Sequence, residues 1–383
     1  MDTLPSLMAE FRQGLVTYAP RENQSAISAT NDLEAATTWL TARTSKSEHT
    51  FRAYLKELRR FITWLITKNL PLAEVKVEDL EAYFSLLKKP PVHWHEVKGK
   101  RSDSQTFTTQ LLKPEGLSES SIAYTRRVLI NLYGYLQDAG YVTTNPPILT
   151  AERNVVKTSS QQRYLDLATW QYCWDKLVSN EADCARGDVA KNELSKAVRY
   201  RWVFALLYHT GMRAEDASFS AMANIKKRDG LWSLHVIGKG NKAREITLNS
   251  AVMQELIRYR RYEGFPTDYP SPGEDSPLIR SLYAGRKGHL STRLLSGLIR
   301  EVAGFLTRDC EDHHFREQIE NMTTHWMRHT NATHRLMAGA SLHSTSDELG
   351  HSSIQTTRIY AKTSSKHRQE DAEKLADLNR ATD

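Results

Sequence analysis

LWSLHVIGKGNKAREITL, residues 231–248, is the stretch that decides the fold class of this chain. The runs LWSLHVIG and AREITL alternate apolar and polar side chains around GKGNK, the pattern of two short strands joined by a tight turn. On both sides of this stretch the hydrophobic spacing lengthens to that of helices. A mainly α fold with a small β-hairpin sheet is therefore expected.

Working outward toward the N-terminus, the polar run through Ser159, Ser160, Gln161 and Gln162 has no amphipathic period, and Asn145, Pro146 and Pro147 break the preceding helix. An interdomain linker is placed at 146–163 on that ground. It separates a helical domain over 31–145 from a second domain over 164–383, as expected for 383 residues, more than one core usually organises. Residues 1–30 show little periodicity and read as a loose N-terminal arm.

In the first domain, Thr30 or Asn31 caps a helix over about 31–44 that carries Leu33, Ala36, Trp39 and Leu40. A second helix begins near Ser47 and lines up Phe51, Leu55, Leu58, Ile62 and Leu65, with Arg52, Lys56, Arg59 and Arg60 off that stripe. A third runs from Ser118 to Asp138, with Gly140 as its stop and Arg126 and Arg127 as a basic patch. These six basic residues are either solvated helix faces or a phosphate-contacting surface. Residues 89–117, with Pro90, Pro91 and Pro114, read as a long loop in which Lys98, Lys100 and Arg101 cluster beside Trp94. Such a loop is a tolerated insertion or a DNA contact.

Composition narrows the partner. Lysine and arginine outnumber aspartate and glutamate by 52 to 45, a formal charge of +7 with a pI near 9.1. This favours a polyanionic partner without proving one. The three cysteines, Cys173, Cys184 and Cys310, form no CxxC pair and no even disulfide set, as in a reduced cytoplasmic chain. Neither a basic and apolar leader nor an apolar run of membrane-spanning length is present, so no membrane partner is expected.

Four segments of the second domain bear on chemistry: HTGMRAEDAS at 209–218, VIGKGNKAREITL at 236–248, THWMRHTNATH at 324–334 and ELGHSSIQTTRIYAK at 348–362. Singly each has a plain reading. Arg213 could be a helix-end charge, Lys239 a solvated turn residue, His351 a cap and Tyr360 a core aromatic. His325 and Arg328, three apart on a helix, share a face. The adjacent His313 and His314 point apart on a helix and read as a solvated pair rather than a metal site.

In order and spacing, the four segments resemble the catalytic domain of the tyrosine recombinase and phage integrase family. That signature runs arginine, lysine in a β-hairpin, His-x-x-Arg, histidine or tryptophan, then tyrosine, and falls here on Arg213, Lys239, His325 with Arg328, His351 and Tyr360. One departure is visible: the acidic residue three places after the first arginine, often glutamate, is Asp216.

The resemblance implies a two-domain DNA clamp of C shape, made of a helical core-binding domain and a catalytic domain. Its activity would be site-specific recombination through a 3′-phosphotyrosyl intermediate at Tyr360. Arg213 and Arg328 would clamp the phosphate oxygens, a task suited to guanidinium forks. His325 would be the acid/base partner, His351 a donor to the phosphate, and Lys239 the general acid for the leaving 5′ oxygen, with Lys242 as its rival. Lys242 and Arg244 are further candidate DNA contacts. Neither cofactor nor metal is implied. The expected partners are double-stranded DNA with paired inverted repeats, three further copies of the chain in a tetrameric synapse, and an accessory DNA-bending protein or partner recombinase. Beyond Tyr360, the helical spacing of Gln369, Ala372, Leu375 and Leu378 suggests a tail helix that docks on a neighbouring protomer. A type IB topoisomerase and a DNA-binding regulator without catalysis are the competing readings.

Overall fold

The computed structural model describes residues 25–45, 47–96, 111–150, 163–187, 190–238, 242–281 and 288–350. The chain divides into two compact units, Met1–Lys157 and Thr158–Asp383.

The first unit is helical. Helix α1 (Asp32–Thr44) opens on Asn31, whose side chain accepts from the Glu34 N–H at 3.0 Å. Helix α2 (Glu48–Lys68) opens on Ser47, which accepts from Thr50 N–H at 3.2 Å, and stops at Asn69 in the left-handed conformation. Helix α3 spans Val77–Lys88, and α4 (Glu119–Asp138) opens on Ser118. Their apolar faces enclose Trp39, Leu58, Phe61, Trp64, Tyr83, Leu129 and Tyr133. A polar tie crosses this core: the buried Asp32 carboxylate accepts from Leu72 N–H at 2.8 Å and from Tyr141 OH at 2.9 Å. Burial outweighs those bonds and pushes its carboxyl up to about 6.

Two expectations for this unit are corrected. The arm does not stay loose up to residue 30, because Ala26 N–H donates to Ala139 O at 2.7 Å and Ile27 and Ala29 pack on the core. The stretch 89–117 is not one long loop. Val92–Trp94 forms a short helical turn, the Trp94 ring is buried, and Leu112 N–H returns to Trp94 O at 3.0 Å. Lys98, Lys100 and Arg101 lie outside the described residues.

The second unit is built on α5 (Leu167–Arg186) packed against α6 (Lys191–Thr210), followed by the short α7 (Ala214–Phe219). Then comes an antiparallel sheet of order β1-β2-β3: Ile225–Arg228, Leu231–Gly238 and Lys242–Leu248. The expected two-strand hairpin is thus widened by β1. Helices α8 (Ser250–Tyr262), α9 (Thr292–Thr307), α10 (His313–Glu320), α11 (Thr324–Met337) and α12 (Leu342–Leu349) complete the described part.

The sheet register pairs Leu234 with Ile246 and Trp232 with Leu248. Leu234, Val236, Ile246 and Leu248 are all buried, so one face of the sheet closes on a core shared with Trp202, Phe204 and Leu298. The indole of Trp202 donates to Leu278 O at 2.8 Å and stacks on Tyr259 at 5.2 Å. Among the described residues no helix is long and apolar enough to cross a membrane.

Candidate active site

Arg213 is placed by the turn that ends α6. Gly211 caps that helix at φ +56, where a Cβ would meet Asn331 Oδ1 and Leu349 Cδ2 at 2.7 Å each. Only glycine combines the left-handed backbone with so close an approach of two other helices. Asn331, from α11, uses its amide to donate to Tyr208 O at 2.7 Å and His209 O at 3.2 Å, satisfying carbonyls left open by the end of α6. The chain then turns into α7 with Arg213 at its N-cap, where Asp216 accepts from the Arg213 backbone N–H at 3.0 Å.

Thr323 opens α11 by accepting from Trp326 N–H at 3.1 Å, and His325 and Arg328 follow one turn apart. Arg328 is buried, 3% exposed, and donates to Gly211 O at 2.8 Å and Leu349 O at 2.6 Å. Its charge therefore sits between the ends of α6 and α12. His325 keeps solvent on one side and meets the His329 ring edge-on at 4.4 Å on the other. Partial burial, then the positive charges of Arg328, Arg163 and Arg213, hold its imidazole below the ordinary histidine range, so the neutral form prevails at pH 7.

Helix α12 ends at Gly350, with φ +61. Its last carbonyls collect three guanidiniums. Arg213 donates to Gly350 O at 2.8 Å, Arg328 to Leu349 O, and Arg244 to Leu349 O and, at 3.3 Å, to Glu348 O. Arg244 also pairs with Asp216, which is 6% exposed. Among the described residues the bond to Gly350 is the one side-chain hydrogen bond of Arg213, which leaves the rest of its half-buried guanidinium for another acceptor. Burial first, and then Arg244, lower the Arg213 pKa from its usual value. The arrangement is a compact positive site with one histidine beside it, suited to an oxyanion.

The structure thus brings Arg213, His325 and Arg328 together. Lys239, His351 and Tyr360 lie outside the described residues, as do the tail residues Gln369, Ala372, Leu375 and Leu378. Lys242 is described only in its backbone, as the first residue of β3, paired with Gly238. Arg244 departs from the expected DNA contact, since its head is spent inside the protein on Asp216 and the end of α12.

The basic residues of the first unit divide similarly. Arg52 and Lys56 are exposed, as is Arg127, and Arg126 is half-buried with its guanidinium 4.7 Å from the Phe84 ring centroid. Arg59 and Arg60 are buried, at 8% and 3% exposure, and Arg60 pairs with Glu57, which also accepts from Thr125 OH at 2.8 Å. Their place off the apolar stripe does not put these two at the surface, because every residue from Glu57 to Leu65 is buried.

Other residues of this unit escaped sequence reasoning. Leu165 N–H donates to Thr330 OH at 3.0 Å, pinning the chain just after Arg163 to the helix that bears His325. His313 and His314 are both exposed, as read from the sequence, and His314 is also tied by its Nε2, which lies 2.7 Å from Asp166 Oδ2 and 2.8 Å from Gln318 Nε2. Among the described residues no group of three histidine, cysteine or acidic side chains is set to hold a metal.

Residues 188–367 match the phage integrase family. The tyrosine recombinase XerC of Chlorobaculum parvum is 28% identical over 292 residues, covering 74% of this chain and 82% of that protein. The tyrosine recombinase XerD of Rhizobium meliloti is 24% identical over 334 residues, covering 86% and 89%. Among solved structures, the XerH site-specific recombinase in a post-cleavage complex with palindromic difH substrate superposes with a TM-score of 0.58 at 15% identity, over 96% of this chain and 94% of that one. The Tn1549 transposon integrase in complex with transposon right-end DNA gives a TM-score of 0.60 at 16% identity, over 90% and 98%.

Proposed function

The chain belongs to the phage integrase family of tyrosine recombinases, and we propose on that premise that it cuts and rejoins double-stranded DNA at specific sites through Tyr360. The observation that carries this reading is the meeting of Arg213 and Arg328 at the end of α12, one residue before His351, with His325 near enough to feel both charges. Arg213, half-buried with one described side-chain bond, can turn a donor to the non-bridging oxygens of a phosphodiester under attack, and the buried Arg328, bonded to Gly211 O and Leu349 O, adds fixed positive charge behind it.

In the proposed reaction the Tyr360 phenol oxygen attacks phosphorus and the bond to the 5′ oxygen breaks, giving a 3′-phosphotyrosine and a free 5′-hydroxyl. Neutral His325 accepts the phenolic proton, and Lys239, or Lys242 in its place, protonates the leaving oxygen. His351 donates to the phosphate. The ester conserves the bond energy, and attack by a 5′-hydroxyl reverses the step, so the cycle uses no cofactor. Residues 31–145 act as the core-binding domain and 164–383 as the catalytic domain. Arg52, Lys56, Arg126 and Arg127 contact phosphates, and four copies of the chain synapse two inverted-repeat sites. The tail beyond Tyr360 links neighbouring protomers.

The test begins with duplexes selected from a random-sequence library by the full-length protein. Nicked versions of a selected duplex should trap a covalent protein–DNA adduct on denaturing gels. Tyr360→Phe should bind the same duplex and form none. An undiminished adduct in that variant would remove Tyr360 from the mechanism, and no adduct with the unaltered protein would remove the reaction.

A further inference from the structure

Arg244 stands on the wrong face of its strand for a basic residue. In β3 the side chains of Arg244, Ile246 and Leu248 alternate inward with those of Leu234 and Val236, which are buried. A charge on such a face is costly unless it is fully paired. Here the pairing is with the reaction machinery. One side of the guanidinium meets the Asp216 carboxylate, whose same oxygen accepts from the Arg213 backbone N–H. The other meets the carbonyls of Glu348 and Leu349 at the end of α12.

The contact is reciprocal. Glu348 reaches back from α12, and its carboxylate accepts from Thr247 N–H of β3 at 3.2 Å, covering part of that strand's edge. Gly350 packs over the Arg244 stem so closely that a Cβ would lie 2.7 Å from Arg244 Cδ. The strand and the helix end are therefore clasped in both directions, immediately ahead of His351.

We propose that Arg244 is a positioning residue for strand cleavage: held by Asp216, it fixes the end of α12 and hence the direction in which the chain leaves Gly350 toward His351 and Tyr360. This rests on the recombinase reading above and goes beyond it, since Arg244 touches no DNA in this role. Arginine is required because one planar head serves a carboxylate and two carbonyls at once. An ammonium at the end of a flexible stem does not reproduce that fork.

The test uses the full-length protein and the nicked, library-selected duplex in single-turnover adduct formation. Arg244→Lys should bind the duplex as tightly as the unaltered protein and melt close to it. Adduct formation should slow by about tenfold to a hundredfold, the scale of misplacing a reacting group by an ångström or so. A duplex with a 5′-bridging phosphorothiolate, whose leaving group needs little protonation, should leave that defect in place. Glu348→Ala should shift the rate the same way by a smaller factor, and it carries the test if Arg244→Lys does not fold.

Three results would overturn the proposal: cleavage at the unaltered rate, loss of rate in step with loss of binding and melting temperature, or rescue by the phosphorothiolate. The last would mean that Arg244 acts through the lysine hairpin instead. Failure of the unaltered protein to form any adduct is a separate outcome, which strikes the recombinase reading itself.

Discussion

Gly211→Ala is the substitution whose cost the geometry specifies most fully. At φ +56 the new side chain pays left-handed strain of about 1–2 kcal/mol. Its Cβ would also lie 2.7 Å from Asn331 Oδ1, so the amide must move. Moving it weakens the bonds to Tyr208 O and His209 O, at about 0.5–1.5 kcal/mol each. The sum is roughly 2–5 kcal/mol, which in a unit spanning Thr158–Asp383 lowers the melting temperature by about 5–20 °C.

The partition can be measured. In an Asn331→Ala background the clash with the amide is relieved while the Leu349 Cδ2 contact at 2.7 Å remains, so Gly211→Ala should then cost less by about the two lost bonds, roughly 1–3 kcal/mol, and keep the strain and the displacement of Leu349. Thermal and urea unfolding of the four proteins gives the coupling. Equal costs in both backgrounds would show that Asn331 is not what the Cβ meets. An unchanged melting temperature would refute the packing argument altogether. Because Gly211 O also accepts from Arg328, adduct formation should fall in the single variant even well below its melting point.

The remaining predictions concern charges. Arg60→Ala should destabilise the first unit by about 3–5 kcal/mol, because it strands the buried Glu57 carboxylate; urea unfolding checks this, and a variant that melts normally but binds DNA weakly would return Arg60 to the surface role. The acid limb of the cleavage rate should fall below the ordinary histidine value of 6.5, since His325 must be neutral to accept a proton and its surroundings lower its pKa. Arg163→Ala removes one of the positive neighbours, which favours the imidazolium and should move that limb to higher pH; an unmoved limb would show that Arg163 does not act on His325.

Much of this was legible in the sequence, where local rules and the fold agree. Asn31, one of two candidates, caps the first helix, the next expected helices open at Ser47 and Ser118, and Leu234 and Ile246 lie on the buried face of the expected hairpin. The signal for Arg244 was present too, because in AREITL it shares a face with Ile246 and Leu248. Reading it as a DNA contact followed its charge and neglected its parity. Arg59 and Arg60 could not be placed by an amphipathic stripe, since that pattern assumes one wet face and α2 has none from Glu57 to Leu65. Strand β1, Ile-Lys-Lys-Arg, has a single buried residue among its four and gives no alternation to read, but its pairing to β2 was signalled by Asp229-Gly230, a two-residue turn with both residues at positive φ that the sequence reading passed over. The ties of Asn331, Glu348 and Thr330 join segments more than a hundred residues apart, and no spacing rule reaches that far.

The electrostatics of the site explain why so many arginines gather there. A helix C-terminus carries the negative end of the backbone dipole and orphan carbonyls, which makes it a poor neighbour for a phosphate. Yet α12 ends here, and its next residue is His351. Arg213, Arg328 and Arg244 all donate to its last carbonyls, so the unfavourable end is neutralised from within before any DNA arrives. Asp216 cancels one of the three charges, and a net positive field remains. The division of labour follows from burial. Arg244 and Arg328 are largely enclosed, whereas Arg213 is half-buried with one described side-chain bond, so it is the guanidinium best able to turn a donor outward. A site built this way holds its charges in place by bonds to its own backbone. It therefore needs little reorganisation when a phosphodiester enters, which is the condition under which fixed charge favours the transition state over water.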